Sequence, residues 1–73
     1  MSALRKRSVT INGHRTSFSL EDQFLAELAA LAKARCQSMA SLIAEVDGAR
    51  TRGTNLSSAL RLEVLAWLKS ERD

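Results

Sequence analysis

Residues 15–20 have the sequence RTSFSL, and residues 21–24, which follow directly, have the sequence EDQF. In the first stretch the even-numbered side chains supply the apolar surface, and the odd-numbered ones carry hydrogen-bonding groups. A repeat of two over so short a run is typical of a half-buried β-strand, and the repeat becomes helical immediately afterwards. Because a lone strand leaves the backbone groups of both edges unpaired, this strand requires a partner.

Two kinds of partner fit the sequence. Residues 8–11, SVTI, also alternate, and the Asn12-Gly13 pair that follows them is the strongest short signal for a β-hairpin, since both residues tolerate positive φ. A two-residue turn would sort the apolar side chains of both runs onto one face and the polar ones onto the other. The alternative is a long strand bent at Asn12-Gly13. We therefore predict a strand over residues 14–20 with a hairpin strand over 8–11, and a second copy of the chain as a further partner.

Three helices are predicted after the strand, over about residues 20–35, 38–48 and 55–70. Each begins near a residue whose side chain can accept a hydrogen bond from a free backbone N–H group. The capping candidates are Ser19 for the first helix, Ser38 for the second, and Asn55 or Ser57 for the third. The third helix has the widest apolar surface, because Leu62 and Leu65 lie beside its main stripe. One small monomer cannot cover so broad a surface.

Chain length limits how stable a single copy can be. A domain of 73 residues buries only about 60 % of the surface of its unfolded chain, so it depends on disulfides, metal or oligomerisation. A single cysteine, Cys36, excludes an internal disulfide, and no cluster of His and Cys predicts a metal site or a cofactor. Oligomerisation is the remaining route. The lone thiol and the lack of a signal-peptide pattern predict a reducing cytoplasm, and no apolar run predicts a membrane span.

Positive charge is concentrated at the start of the chain. Residues 1–20 contain four basic residues and no acidic one, a net charge of +4. Residues 21–49 contain two basic and five acidic residues (−3), and residues 50–73 contain five basic and three acidic residues (+2). This asymmetry predicts a polyanionic partner, with nucleic acid ahead of an anionic membrane. Residues 1–7, which include Arg5, Lys6 and Arg7, are predicted to be a flexible basic arm that either contacts DNA or stays in solvent.

A strand followed by two helices resembles the ribbon-helix-helix family of DNA-binding proteins. The resemblance covers residues 14–47, and it is carried by residues 15–22 (RTSFSLED), Leu28, Leu31-Ala32 and residues 38–43 (SMASLI). The longer strings KRSVTINGHRTS, over residues 6–17, and NLSSALR, over residues 55–61, resemble a bacterial subgroup in which a third helix follows the core. The predicted fold is therefore mostly α with a short β-ribbon, in a single domain over residues 8–73.

The resemblance implies an intertwined homodimer, in which each protomer contributes one strand to a two-stranded antiparallel ribbon that enters the major groove of double-stranded DNA. The groove admits such a ribbon, and side chains on its outer face reach base edges. That face would present Arg15, which can bond guanine O6 and N7 as a fork, together with Ser17 and Ser19. The predicted dimer core consists of Thr16, Phe18, Leu20, Phe24, Leu28, Leu42, Ile43 and Val46.

Phosphate contacts are also implied by the resemblance. The N-terminus of the second helix, at Ser38, presents free amide groups and the positive end of a dipole. Arg5, Lys6 and Arg7 would add contacts to the DNA backbone. These contacts position a protein on DNA without reading its sequence.

The predicted function is that of a homodimeric DNA-binding protein, a transcriptional repressor. The alternative is an antitoxin-like interaction module on the same scaffold, which docks a partner protein through the third helix. No catalytic set of Ser, His and acidic residues can be assembled, and there is no Gly-rich phosphate loop, so an enzyme is not predicted. Cys36 lies where the family commonly ends its first helix on Gly. We expect it to be a small buried side chain, because a left-handed backbone would be strained there.

Overall fold

The computed structural model describes residues 4–51 and 53–71. In chain order, the elements are β1 (Leu4–Ile11), β2 (His14–Glu21), α1 (Asp22–Ala34), α2 (Met39–Ala49) and α3 (Leu56–Glu71). A two-stranded ribbon followed by three helices is the predicted fold class, which is confirmed. None of the described helices is long and apolar enough to cross a membrane.

The two strands form an antiparallel hairpin within one chain. Ile11 lies opposite His14 at the turn, and Leu4 lies opposite Glu21 at the far end. The turn residues Asn12 and Gly13 have φ values of 50° and 82°, as a two-residue hairpin of type I′ requires. The hairpin is therefore confirmed, with the register that the alternation predicted, and the alternative of one long bent strand is wrong. Pairing of β2 with a second copy stays a prediction.

Strand β1 is longer than the sequence predicted. It begins at Leu4 rather than at Ser8, so the flexible arm predicted over residues 1–7 is wrong from Leu4 onward. The LRKR sequence of residues 4–7 has no apolar alternation, but the end of β2 offers a backbone ladder that these residues complete. Residues 1–3 lie outside the described residues.

One of the three helix starts differs from prediction. Helix α1 begins after Glu21, which makes no side-chain cap, whereas the predicted cap Ser19 is still within β2. Helices α2 and α3 are capped as predicted: Ser38 Oγ accepts the Ser41 N–H at 3.0 Å, and Asn55 Oδ1 accepts the Ser58 N–H at 2.8 Å. Of the two candidates for α3, Asn55 is therefore the cap.

Cys36 ends helix α1 in the left-handed conformation, with φ 56°, and its side chain is exposed. The expectation of a buried cysteine outside the left-handed region is wrong on both points. The Gln37 N–H donates to the Ala32 carbonyl at 2.8 Å and the Cys36 N–H donates to the Lys33 carbonyl at 3.1 Å. These two bonds form a Schellman motif, which satisfies the last carbonyls of the helix and imposes positive φ on Cys36.

The core lies between the inner face of the hairpin and the three helices. Its buried side chains are Ile11, Phe18, Leu20, Leu28, Leu31, Ala32, Leu42, Ile43, Val46, Leu56, Leu60 and Val64. Leu28 and Leu42, which were predicted for the dimer core, are 0 % exposed and so belong to the core of the single chain. Of the predicted dimer core, Thr16 and Phe24 are only half-buried, and their contact with a second copy stays a prediction.

Candidate nucleic-acid interface

The outer face of the hairpin is polar and faces away from the helices. Exposed side chains come from both strands: Lys6, Ser8 and Thr10 from β1, and Arg15 and Ser17 from β2. Ser19 lies at the end of the same row and is half-buried. Of the predicted base-contacting residues, the structure thus brings Arg15, Ser17 and Ser19 onto one face. Ser8 and Thr10 share this face, as the hairpin register predicted, but they were not among the predicted base-contacting residues.

Three polar cross-strand pairs lie on this face: Lys6 with Ser19, Ser8 with Ser17, and Thr10 with Arg15. A fourth pair, Leu4 with Glu21, lies at its end. In a two-residue hairpin the pair beside the turn, Ile11 and His14, exchanges both backbone hydrogen bonds, and the alternate pairs exchange none. The Cα atoms of such non-hydrogen-bonded pairs lie only about 4.5 Å apart. The outer-face side chains therefore stand close together in two parallel rows.

The charge of this face is positive. Among the described residues, no acidic group lies within 4.0 Å of the Lys6 or Arg15 side-chain nitrogens. Both cations border one shallow depression, together with Ser8, Thr16 and Ser17. The acid at the end of this row, Glu21, is held by Arg61, whose Nε lies 3.2 Å from Glu21 Oε1. Lys6 and Arg15 therefore have no acidic partner among the described residues and lie beside exposed hydroxyl groups. Cations and hydroxyl groups of this kind form hydrogen bonds with guanine edges and phosphates.

Arg5 and Arg7, predicted to act with Lys6, are on the other face of the hairpin. Their register partners are Leu20 and Phe18, both of which are buried. Arg5 Nε lies 3.3 Å from Asp22 Oδ1, and Arg7 is half-buried, with no hydrogen-bond partner for its Nε among the described residues. The three predicted phosphate ligands of the arm therefore do not form one group.

The capped start of α2 faces β1 across an open groove of about 630 Å³. The groove is lined by residues 6–9 of β1, Phe18 of β2, Leu25 and Ala29 of α1, and Met39, Ala40 and Ile43 of α2. Ser38, the predicted phosphate ligand, is exposed immediately before this helix turn.

Helix α3 anchors the end of β2, a contact that was not predicted from the sequence. Ser57 Oγ accepts the Ser19 N–H at 2.8 Å, and Arg61 Nη2 donates to the Ser19 carbonyl at 3.4 Å. The Arg61 guanidinium also lies 5.9 Å from the centroid of the Phe24 ring. Because Ser57 and Arg61 are one helical turn apart, both reach the same strand edge. No periodicity marks this contact, since its partners are about 40 residues apart in sequence.

Glu21, at the junction of β2 and α1, has a perturbed carboxyl group. The hydrogen bond from its own backbone N–H, followed by the bond from Arg61, holds the pKa of the Glu21 carboxyl below its ordinary value of 4.5. The carboxylate is therefore ionised at neutral pH and attracts Arg61 to the strand edge.

The outward side of α3 is apolar. Leu62 is 61 % exposed, Leu65 is 50 % exposed and Leu68 is 36 % exposed. The wide apolar surface predicted for this helix is thus present and uncovered in the single chain. Among the described residues, no three His, Cys, Asp or Glu side chains lie close enough together to hold a metal ion.

A family model described as "Ribbon-helix-helix domain" matches residues 4–68. The match extends from the first residue of β1 into the last turns of α3, and so includes the hairpin and all three helix starts. Neither the curated proteins nor the solved structures contain a significant match to the chain.

Proposed function

The chain belongs to the ribbon-helix-helix family of DNA-binding regulators, and on that premise we propose that it is a homodimeric transcriptional repressor. The repressor inserts a two-stranded antiparallel ribbon into the major groove of double-stranded DNA. Repression requires no further activity, because a protein that occupies an operator blocks access to the promoter. The cytoplasm is the compartment in which such a protein acts.

The outer face of the hairpin carries this proposal. It is exposed and cationic, and it belongs to a ribbon of two strands, the width that the major groove admits. Arg15 is the principal base-reading residue, because its guanidinium can bond O6 and N7 of guanine at once. Ser17 and Ser19 accept or donate beside it and discriminate less.

Phosphate contacts come from the start of α2. Ser38 Oγ is engaged by the Ser41 N–H, so the amide groups of Met39 and Ala40 are those left for an anion. They belong to the first turn of α2, so α2 can contact the DNA backbone beside the ribbon through its N-terminus. This contact fixes the position of the ribbon and carries no sequence information.

The proposed homodimer uses the groove between β1, α1 and α2. The groove has an apolar lining, and a small protein gains stability when such a surface is covered. The lining residues are Val9, Leu25, Ala29, Met39 and Ile43. A second copy packed in this groove would bring the β1 strands of the two protomers close to each other. A homodimer formed here has two-fold symmetry, which matches the two-fold symmetry of a palindromic operator.

Selection from a random duplex library tests the function. The wild type is expected to enrich one motif at moderate salt, and Arg15→Ala to lose preference at a guanine within it by about tenfold. Arg15→Lys is the matched control, because it keeps the charge and loses the fork, so its affinity for random DNA should persist. An unchanged motif in Arg15→Ala would show that Arg15 reads no base. A wild type that enriches nothing would exclude sequence-specific binding.

A second candidate function rests on α3. The exposed side chains of Leu62, Leu65 and Leu68 form an apolar surface that could dock a partner protein, as an antitoxin-like module does. This candidate requires that the surface stay uncovered in the homodimer. A dimer that buries α3 would remove it.

A further inference from the structure

We propose that Ser57 and Arg61, both on α3, are positioning residues for DNA recognition, because they hold Ser19 in the orientation in which its hydroxyl group meets a base edge. Neither side chain needs to touch DNA. The inference rests on the proposed DNA-binding function, and it requires only that β2 lies in the ribbon. Helix α3 thereby takes part in sequence recognition without entering the groove of the DNA.

Both backbone polar groups of Ser19 are bonded to side chains of α3. Ser57 Oγ accepts the Ser19 N–H at 2.8 Å, and Arg61 Nη2 donates to the Ser19 carbonyl at 3.4 Å. The N–H belongs to the peptide plane before Ser19 and the carbonyl belongs to the plane after it, so the two bonds restrain rotation on both sides of the Cα atom. The direction of the Cα–Cβ bond, and with it the position of the hydroxyl group, follows from these two planes.

Strand β1 does not hold the backbone of Ser19 in this way. Ser19 lies opposite Lys6 in a non-hydrogen-bonded pair, so its N–H and carbonyl face away from β1. The flanking residues Phe18 and Leu20 occupy hydrogen-bonded pairs of the ladder, and their side chains are buried. At Ser19, α3 therefore supplies the restraint that the ladder omits.

The two positioning side chains are themselves held in place. Arg61 Nε lies 3.2 Å from Glu21 Oε1, and the guanidinium carbon lies 5.9 Å from the centroid of the Phe24 ring. Only a forked guanidinium can bond the Glu21 carboxylate through Nε and the Ser19 carbonyl through Nη2 at once. Ser57 lies in the first turn of α3, which is capped by Asn55. The anchor of Ser19 is therefore built on a fixed part of the helix.

A serine hydroxyl group reads a base only when it is placed accurately. An O–H···O bond needs about 2.5–3.0 Å between its oxygens, and it weakens steeply when its angle falls below about 120°. Arg15 lies about 14 Å from Ser19 along the same strand, since a strand rises about 3.4 Å per residue. Arg15 is beside the turn, whereas Ser57 and Arg61 contact the other end of β2. Loss of these contacts should therefore impair recognition at the Ser19 end of the face alone.

Base preference at each position of the selected motif tests this role. Ser19→Ala first identifies the position that Ser19 reads. Ser57→Ala is expected to reduce preference at that same position by about fivefold, the value of one hydrogen bond, and to change preference at the guanine assigned to Arg15 by less than about twofold. Ser57→Ala added to Ser19→Ala should cause no further loss, because the positioned hydroxyl group is already gone. Ser57→Thr keeps the hydroxyl acceptor and should retain the wild-type preference.

Three further variants separate positioning from charge and stability. Arg61→Lys keeps the charge but loses the fork, so it should weaken preference at the Ser19 position as Ser57→Ala does. Ser58→Ala removes a hydroxyl group from the same helical turn that makes no hydrogen bond with β2 among the described residues. Val64→Ala opens a cavity on the core side of α3 and leaves Ser19 bonded. Ser58→Ala and Val64→Ala should keep the wild-type motif at a temperature at which circular dichroism shows them folded.

Amide hydrogen exchange measures the anchor without DNA. The Ser19 amide should be protected in the wild type, although β1 does not bond it, and it should exchange about tenfold faster in Ser57→Ala. Phe18 and Leu20 should keep their protection, because their ladder bonds remain. Unchanged exchange at Ser19 would show that Ser57 does not hold this residue, and would overturn the inference.

The outcomes on DNA separate this inference from the function on which it rests. If Ser57→Ala speeds exchange at Ser19 but changes no base preference, the contact is structural only and the inference falls. An equal loss at every position, or the same pattern in Val64→Ala, would assign the effect to stability and would also overturn it. If Ser19→Ala alters no position while Arg15→Ala alters one, the function stands without the inference. If the wild type selects no motif, both fall.

Discussion

At the scale of single residues, the conformation of Cys36 shows how hydrogen bonding overrides a local preference. A left-handed backbone costs a residue with a Cβ about 1 kcal/mol or more. The chain adopts it because the two backbone bonds of the Schellman motif satisfy carbonyls that would otherwise lack partners. The short connection from Ala34 to Met39 also requires a sharp reversal at this point. The resulting strain can be measured.

Cys36→Gly is expected to stabilise the protein by about 1 kcal/mol, because glycine adopts positive φ without a steric penalty. For a domain of this size, the melting temperature should rise by about 4–8 °C. Cys36→Ala is the control, since it removes the thiol but keeps the Cβ. A gain of the same size in Cys36→Ala would assign the effect to the sulfur and not to the backbone.

At the scale of secondary structure, the junction of β2, α1 and α3 determines where the ribbon ends. Ser57 and Arg61 fix the backbone of Ser19, and Arg61 also binds Glu21, the residue before α1. The strand edge and the start of α1 are thus attached to the same face of α3. We infer that α3 holds the ribbon at a fixed angle to the helices, beyond its contribution to the core.

The pH dependence of stability tests this junction. The pKa of the Glu21 carboxyl is lower in the folded protein than its ordinary value of 4.5, so the folded state binds fewer protons. Its stabilising effect is therefore complete above that ordinary value and is lost as pH falls through the lowered one. The urea midpoint of wild type should exceed that of Glu21→Gln near neutral pH, and the two should converge in acid.

The Arg61→Gln variant separates the two causes of the lowered pKa of Glu21. In that background the loss of stability caused by Glu21→Gln should shrink but persist in part, because the backbone N–H still bonds the carboxylate when Glu21 is present. The wild type, the two single variants and the double variant form a double-mutant cycle that isolates the contact between the two side chains. A gap between Glu21→Gln and wild type that stays constant down to the most acidic pH would contradict the ionised contact.

Alternation and capping signals made much of this architecture predictable. The period of two in residues 14–20 and the Asn12-Gly13 turn predicted β2 and its register, and Ser38 and Asn55 marked two helix starts. The first half of β1 was not predictable, because LRKR has no period and forms a strand only by pairing with β2. The contact between Ser57 and Ser19 was also not predictable, because a side-chain hydrogen bond to a distant strand edge leaves no local pattern in the sequence.

At the scale of the whole molecule, two uncovered apolar surfaces are candidates for the interface with a second copy. One is the groove between β1, α1 and α2, and the other is the outward side of α3. Only the groove adjoins the hairpin, so a dimer formed there brings the hairpins of both protomers together. A dimer formed through α3 would instead cover the surface on which the interaction-module hypothesis depends.

Two lysine substitutions distinguish these dimers. Ala29 lines the groove and Ala66 lies on the outward side of α3, and both are exposed helical alanines in the single chain. Ala29→Lys would bury an unpaired charge in the proposed interface, so it is expected to convert a micromolar dimer to a monomer in sedimentation equilibrium. Ala66→Lys should leave the dimer intact. The reverse result would place the interface on α3 and remove the docking surface, and a monomeric wild type would exclude the homodimer itself.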